Sequence, residues 1–157
     1  MLTETHLNPN IEDSEIAIKD YDCHRCDRKE RSHGGVLIYC KSDHKCMKIG
    51  EYSDGSCEVL GVLVKNIKTL IILTYRPPSS GNEESFNKVN DWIQAVINDH
   101  SSYVEDVILG GDMNFPFIEW PGGFFEGMEN TKDKEKIQGK MLLDMTEYNG
   151  LEKKYNL

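Results

Sequence analysis

Val107-Ile108-Leu109-Gly110-Gly111-Asp112-Met113-Asn114 is the stretch on which the reading of this chain turns. An apolar run of strand length meets two glycines and then Asp-x-Asn, the pattern of a buried strand leaving its sheet at a polar loop. Side chains alternate along a strand, so Asp112 and Asn114 are expected on one side if the extension persists. The glycines let the backbone turn without a Cβ clash. A carboxylate beside an amide suits holding a water and a phosphate oxygen. An ordinary polar turn uses the same residue types.

Outward from this stretch, strand and helix signals interleave. Lys68 to Tyr75 (KTLIILTY) predicts a buried strand, and Arg76-Pro77-Pro78-Ser79-Ser80-Gly81 must leave the sheet because proline has no ladder donor. Phe86, Val89, Ile93, Val96 and Ile97 predict an amphipathic helix over 83–99. Ile137, Met141, Leu142 and Met145 predict a second helix, capped near Asn149-Gly150. Upstream, Gly34 to Lys41 and Glu58 to Val64 read as strands, with a hairpin signal at Asp54-Gly55. Leu2-Thr3-Glu4-Thr5 reads as the end of a strand, and residues 21–33 as polar with mixed charge. Strands mixed with helices argue an α/β fold in a single domain spanning residues 1–157.

Composition narrows the classes. A chain that is 38% hydrophobic and 29% charged is globular rather than disordered. No apolar run is long enough to span a membrane, and no basic-then-apolar leader marks secretion. The net charge of −9 argues against tight non-specific binding to nucleic acid, which depends on Lys and Arg. The acidity serves solubility, or some carboxylates hold a divalent cation. Five cysteines without an export signal are read as reduced thiols, which places the chain in the nucleus or cytoplasm.

Two further residues join the Asp-x-Asn stretch. Glu4 ends the first strand, and a carboxylate there would bind Mg²⁺, a hard cation with oxygen ligands. Tyr75 ends the central strand just before Pro77-Pro78, and its hydroxyl would donate to a phosphate oxygen. The plainer readings are a solvated terminal residue and a packed aromatic.

The ordered set Leu2-Thr3-Glu4-Thr5-His6-Leu7-Asn8-Pro9, Gly34-Gly35-Val36-Leu37-Ile38-Tyr39, Thr74-Tyr75-Arg76-Pro77-Pro78 and Gly110-Gly111-Asp112-Met113-Asn114-Phe115-Pro116 resembles the endonuclease/exonuclease/phosphatase superfamily. Asn114-Phe115-Pro116-Phe117-Ile118-Glu119-Trp120, with Arg25-Cys26-Asp27-Arg28 ahead of Gly34-Gly35, is most similar to the apurinic-type endonuclease domain of non-LTR retrotransposons. The resemblance implies a four-layer, DNase-I-like α/β sandwich. It implies a Mg²⁺-dependent (or Mn²⁺-dependent) endonuclease with DNA as substrate, linked to a reverse-transcriptase region in a full element. It further implies that Glu4 binds the metal, Tyr75 stands beside the scissile phosphate, Asp112 orients the attacking water, and Asn114 positions water and phosphate.

The family pattern also carries an asparagine-bearing strand before the Glu4 motif and a Ser-Asp-His after a later strand. Neither lies in this sequence, so the expectation is a partial sandwich without its first and C-terminal strands, impaired as a nuclease. Ser42-Asp43-His44 occurs too early in the chain to fill the later role and reads as a polar turn. Pro78 stands where repair-type relatives place an asparagine; its side chain has no donor for a phosphate. Cys23-His24-Arg25-Cys26 with His33, Cys40, His44 and Cys46 invites zinc, but the second cysteine pair has loose spacing, so no zinc is expected. The competing readings are a non-catalytic remnant of a mobile element and a phosphatase or lipid phosphodiesterase of the same superfamily.

Overall fold

The computed structural model describes residues 1–29, 33–78, 83–115 and 133–151. Seven strands and two helices appear in the order β1 (Leu2–Thr3), β2 (Tyr21–Cys26), β3 (Val36–Lys41), β4 (Cys46–Ser53), β5 (Glu58–Val64), β6 (Thr69–Tyr75), α1 (Glu83–His100), β7 (Asp106–Asp112) and α2 (Asp133–Tyr148). The strands form two sheets, ordered β1-β3-β2 and β4-β5-β6-β7. All neighbours are antiparallel except β6 and β7, whose parallel pairing is made possible by the crossover through α1. The chain therefore has an α/β fold.

The central strands explain the apolar runs. On β5 and β6, Leu60, Val62, Leu73 and Tyr75 face the first sheet and pack on Cys26, Val36, Ile38 and Cys40. The alternate residues Val59, Leu70 and Ile72 face the helices and meet Phe86, Val89, Ile93, Leu142 and Met145. A strand buried on both faces has no polar side to show, which is why KTLIILTY reads as nearly continuous apolar sequence. Among the described residues the layers are sheet, sheet and helices. None of the described helices is long and apolar enough to cross a membrane.

Two strands lie where the sequence shows no strand pattern. β2 occupies the polar region 21–33, and β4 precedes the Asp54-Gly55 turn. Both are edge strands and half-buried, with charged residues among the apolar ones, and β4 carries a register shift between Lys48 and Gly50. Edge strands tolerate polar residues on both faces, so the period-two signal fades. The second helix behaves as expected at its end. Gly150 (φ 62) donates to Glu147 O, and Leu151 donates to Thr146 O, which is a Schellman cap. Ile137, expected on its inner face, is instead 45% exposed.

The Asp-x-Asn stretch departs from expectation: it is not a buried strand but the edge strand β7, on which no residue is fully buried and Ile108 is 46% exposed. The strand does not stop at Leu109 but continues through Gly110 and Gly111 to Asp112, in register with β6 to Tyr75. Gly111 is needed for close approach rather than for a turn. At φ 134, an added Cβ would lie 1.8 Å from Thr74 O. Extension then ends, because Asn114 adopts φ 51.

Candidate active site

Four stretches converge at one end of the strands. Glu4 follows β1 at φ 54, and the next two residues are stitched to the turn before β3, with Thr5 N–H to Gly35 O at 3.3 Å and His6 N–H to Gly34 O at 2.9 Å. Tyr75 closes β6 on its inter-sheet face, where it is 4% exposed. Its hydroxyl donates to Glu4 Oε1. Asp112 lies opposite Tyr75 on β7. Asn114 folds back on Asp112, its N–H donating to Asp112 Oδ1 at 3.0 Å, while its side-chain amide donates to Arg76 O at 2.8 Å. Asp112 and Asn114 thus stay together through a hydrogen-bonded turn, not through the strand alternation expected from the sequence.

Beneath Tyr75 lies a buried ion pair that sequence reading missed. Glu58, at the start of β5 and in register with Tyr75, is fully buried. It accepts two hydrogen bonds from Arg28, at 2.6 and 2.9 Å, and one from Gly35 N–H at 3.3 Å. The Arg28 guanidinium stands 5.6 Å from the Tyr75 ring centroid, close enough for a cation–π contact. Gly34 makes room for this pair: a Cβ there would sit 2.7 Å from Arg28 Nε. Arg28 and the two glycines, read in the sequence as family marks, are thus one packed unit supporting the tyrosine.

Burial is the main force on the phenol. It pushes the Tyr75 hydroxyl up to about 12, and the hydrogen bond to Glu4 acts in the same direction. Arg28 pulls the other way, and the Asp112 charge adds to the rise. Tyr75 is therefore a hydrogen-bond donor, not a phenolate, throughout the neutral range. Glu4 and Asp112 are exposed carboxylates, and with the Asn114 amide they make a set of oxygen donors.

The Ser42-Asp43-His44 triplet is elsewhere. It forms a short 3-10 turn after β3, and Asp43 O accepts from Asn66 Nδ2 at 2.8 Å, on the turn after β5. β3 and β5 begin at the Glu4–Tyr75 rim and end at these turns, a strand length of roughly 17–20 Å away. Asp43 and His44 side chains are 80% and 43% exposed and barely touch, at 4.0 Å.

The cysteines divide between faces. Cys23 and Cys26 are three apart on β2 and so point to opposite sides. Cys26 and Cys40 are buried between the sheets, and burial pushes both thiols up to about 12. Among the described residues no three His, Cys, Asp or Glu side chains are grouped as a ready metal cage. Residues 116–120 of the Asn114–Trp120 stretch lie outside the described residues.

Residues 69–155, more than half of the chain, match the family described as endonuclease-reverse transcriptase. The match takes in Tyr75, Asp112 and Asn114, and Glu4 precedes it. No curated protein matches the chain significantly.

Proposed function

This chain belongs to the endonuclease-reverse transcriptase family, and on that premise we propose that it is a metal-dependent phosphodiester hydrolase domain that nicks DNA. The observation that carries the proposal is the meeting of Glu4, Tyr75, Asp112 and Asn114 at one rim, through the Tyr75–Glu4 and Asn114–Asp112 hydrogen bonds and the Tyr75–Asp112 register. We read the two sheets and their helices as part of a four-layer DNase-I-like sandwich and the chain as one such domain, a reading supported by the shared core between the sheets. A reverse-transcriptase region is the natural partner of such a domain in a full element.

The residues at the rim fit Mg²⁺ or Mn²⁺. They offer carboxylate, amide and phenol oxygens, and Mg²⁺ typically takes one or two carboxylates while keeping several waters, so no three-residue cage is needed. Glu4 would hold the ion, which when bound would stabilise charge on the phosphate and on the leaving oxygen. Tyr75, locked as a donor, would turn its O–H toward a phosphate oxygen. Asp112 would orient the attacking water, and the Asn114 amide would fix water and phosphate together. No histidine among the described residues hydrogen-bonds to Asp112 or Asn114. Without a positioned histidine as acid or base, nicking is expected to be slower by about 10²–10⁴-fold than at a site that has one.

The test is a Mg²⁺ titration of the full chain followed by NMR, with plasmid nicking in parallel. Resonances of Tyr75, Asp112 and Asn114 should shift together, and Glu4→Ala should abolish both the shifts and any nicking. Shifts that persist in Glu4→Ala would move the metal away from this rim and sink the assignment.

A further inference from the structure

Arg76 follows Tyr75 and is bonded, through backbone and side chain, to the loop that carries Asp112 and Asn114. Its N–H donates to Asp112 O at 2.8 Å, and its carbonyl takes the Asn114 side-chain amide at 2.8 Å. Nη1 reaches Met113 O at 3.1 Å and Asn114 O at 3.4 Å. The guanidinium also stands 4.5 Å from the Phe115 ring centroid. It also crosses to α2, where Nη2 donates to Gln138 Oε1 at 2.7 Å.

Gln138 is an odd choice for that position. It is fully buried, at 0% exposure, and its Nε2 has no hydrogen-bond partner among the described residues. The amide cannot be turned to relieve this, because arginine only donates and must meet the oxygen. A buried donor without a partner is unfavourable, and an apolar residue would fill this face of α2 without it. What the glutamine provides is a fixed acceptor for Arg76. A fixed Arg76 in turn helps hold Asn114 at φ 51, a left-handed conformation that asparagine visits more readily than most residues and that the bonds to Arg76 keep in one place.

We infer that Arg76 and Gln138 are positioning residues: Gln138, from α2, anchors Arg76, and Arg76 sets the geometry of Asp112 and Asn114. The functional half of this inference rests on the nuclease reading of the rim; the structural half does not. It makes the seating of α2 a determinant of the site's activity, although Gln138 is not itself part of the rim.

The experiment compares the full chain with Gln138→Met, which removes the acceptor at similar size, and Gln138→Glu, which keeps it. Arg76→Lys, which keeps the charge and loses the fork, guards against a Gln138 variant that fails to fold. Hydrogen exchange at the Asn114 amides, read by NMR, should speed up by about tenfold or more in Gln138→Met and Arg76→Lys. Gln138→Glu should restore it. Mg²⁺-dependent nicking should fall about 10–100-fold in kcat with little change in KM, and recover in Gln138→Glu. Unchanged exchange in Gln138→Met, or a Gln138→Glu variant as loose as Gln138→Met, overturns the inference. If exchange responds as expected while the wild type shows no Mg²⁺-dependent nicking, the positioning stands and the nuclease reading fails.

Discussion

At one end of β5, Glu58 is fully buried and takes two hydrogen bonds from Arg28; beyond the other end, Asn66 donates to Asp43 on an exposed turn. The residue types at the two ends are alike. Each has acids, a histidine, and hydrogen bonds between distant parts of the chain. They differ in what stands behind them. At the Glu58 end the polar groups are backed by the core between the sheets, so each contact fixes the next, from Arg28 to Tyr75 to Glu4. At the Asp43 end they are backed by water, and the His44–Asp43 and Lys68–Glu105 pairs are free to part. A catalytic-looking triplet is common on a surface; a buried support beneath one is not.

The largest effect that would test this contrast comes from Glu58→Ala. Removing one member of a buried pair leaves the other charge unpaired, which typically costs about 3–5 kcal/mol. Chemical denaturation should show a loss of that size, and a paired change of Arg28 and Glu58 to apolar residues should recover much of it. Glu105→Ala, at the exposed end, should leave stability unchanged within error. Equal losses from Glu58→Ala and Glu105→Ala would erase the distinction between the two ends.

A smaller effect is expected from Tyr75→Phe at the supported end. The variant loses a hydrogen bond to a carboxylate that is itself exposed, so about 1 kcal/mol at neutral pH is expected, below the usual range for bonds to charged groups because solvent screens the carboxylate. The pH dependence sharpens this. The Tyr75 hydroxyl is raised to about 12, above the ordinary value near 10 for an unfolded chain. Stability from keeping it neutral is therefore fully present below pH 10 and lost as pH climbs toward 12. The gap between wild type and Tyr75→Phe should be constant from neutral pH to pH 10 and shrink above it. A gap that widens with alkali would mean that the phenolate, not the phenol, is held in the folded state.

The same contrast explains how much of the molecule is legible in its sequence. β3, β5 and β6 are legible because their residues are buried on both faces and leave long apolar runs. β2 and β4 are not, because edge strands can be polar and the bulge in β4 breaks its alternation. Glu4, Tyr75, Asp112 and Asn114 stand out because each falls beside a strong local signal: a strand end, a Pro-Pro exit or a Gly-Gly pair. Gln138 carries no such mark, Glu58 is marked only as the first residue of a strand, and Arg28 only by its place ahead of Gly34-Gly35. Their pairings span 30 residues for Arg28–Glu58 and 62 for Arg76–Gln138, and nothing in a local window connects them. Arg76 has a hint of the same kind, through its place in Tyr-Arg-Pro-Pro. The Gly-Gly pair is there for a different reason than turning: Gly111 avoids Thr74 O across the parallel pair.

The smallest expected effect belongs to the triplet at the exposed end. Asp43 and His44 lie on a 3-10 turn whose C-terminal residue, Lys45, is left-handed at φ 53 and closes the turn through its own N–H to Ser42 O. The tie to the turn after β5 uses the Asp43 carbonyl, which alanine retains. The His44–Asp43 contact, at 4.0 Å between exposed groups, is too long for a hydrogen bond. Replacing both side chains with alanine should therefore change stability by no more than about 0.5 kcal/mol, the range of surface substitutions without a special role. The response of Tyr75, Asp112 and Asn114 to Mg²⁺ should be untouched, since a strand length separates the two ends. A double variant that lost the Mg²⁺ response while staying folded would tie His44 to the rim and reverse the roles of the two ends.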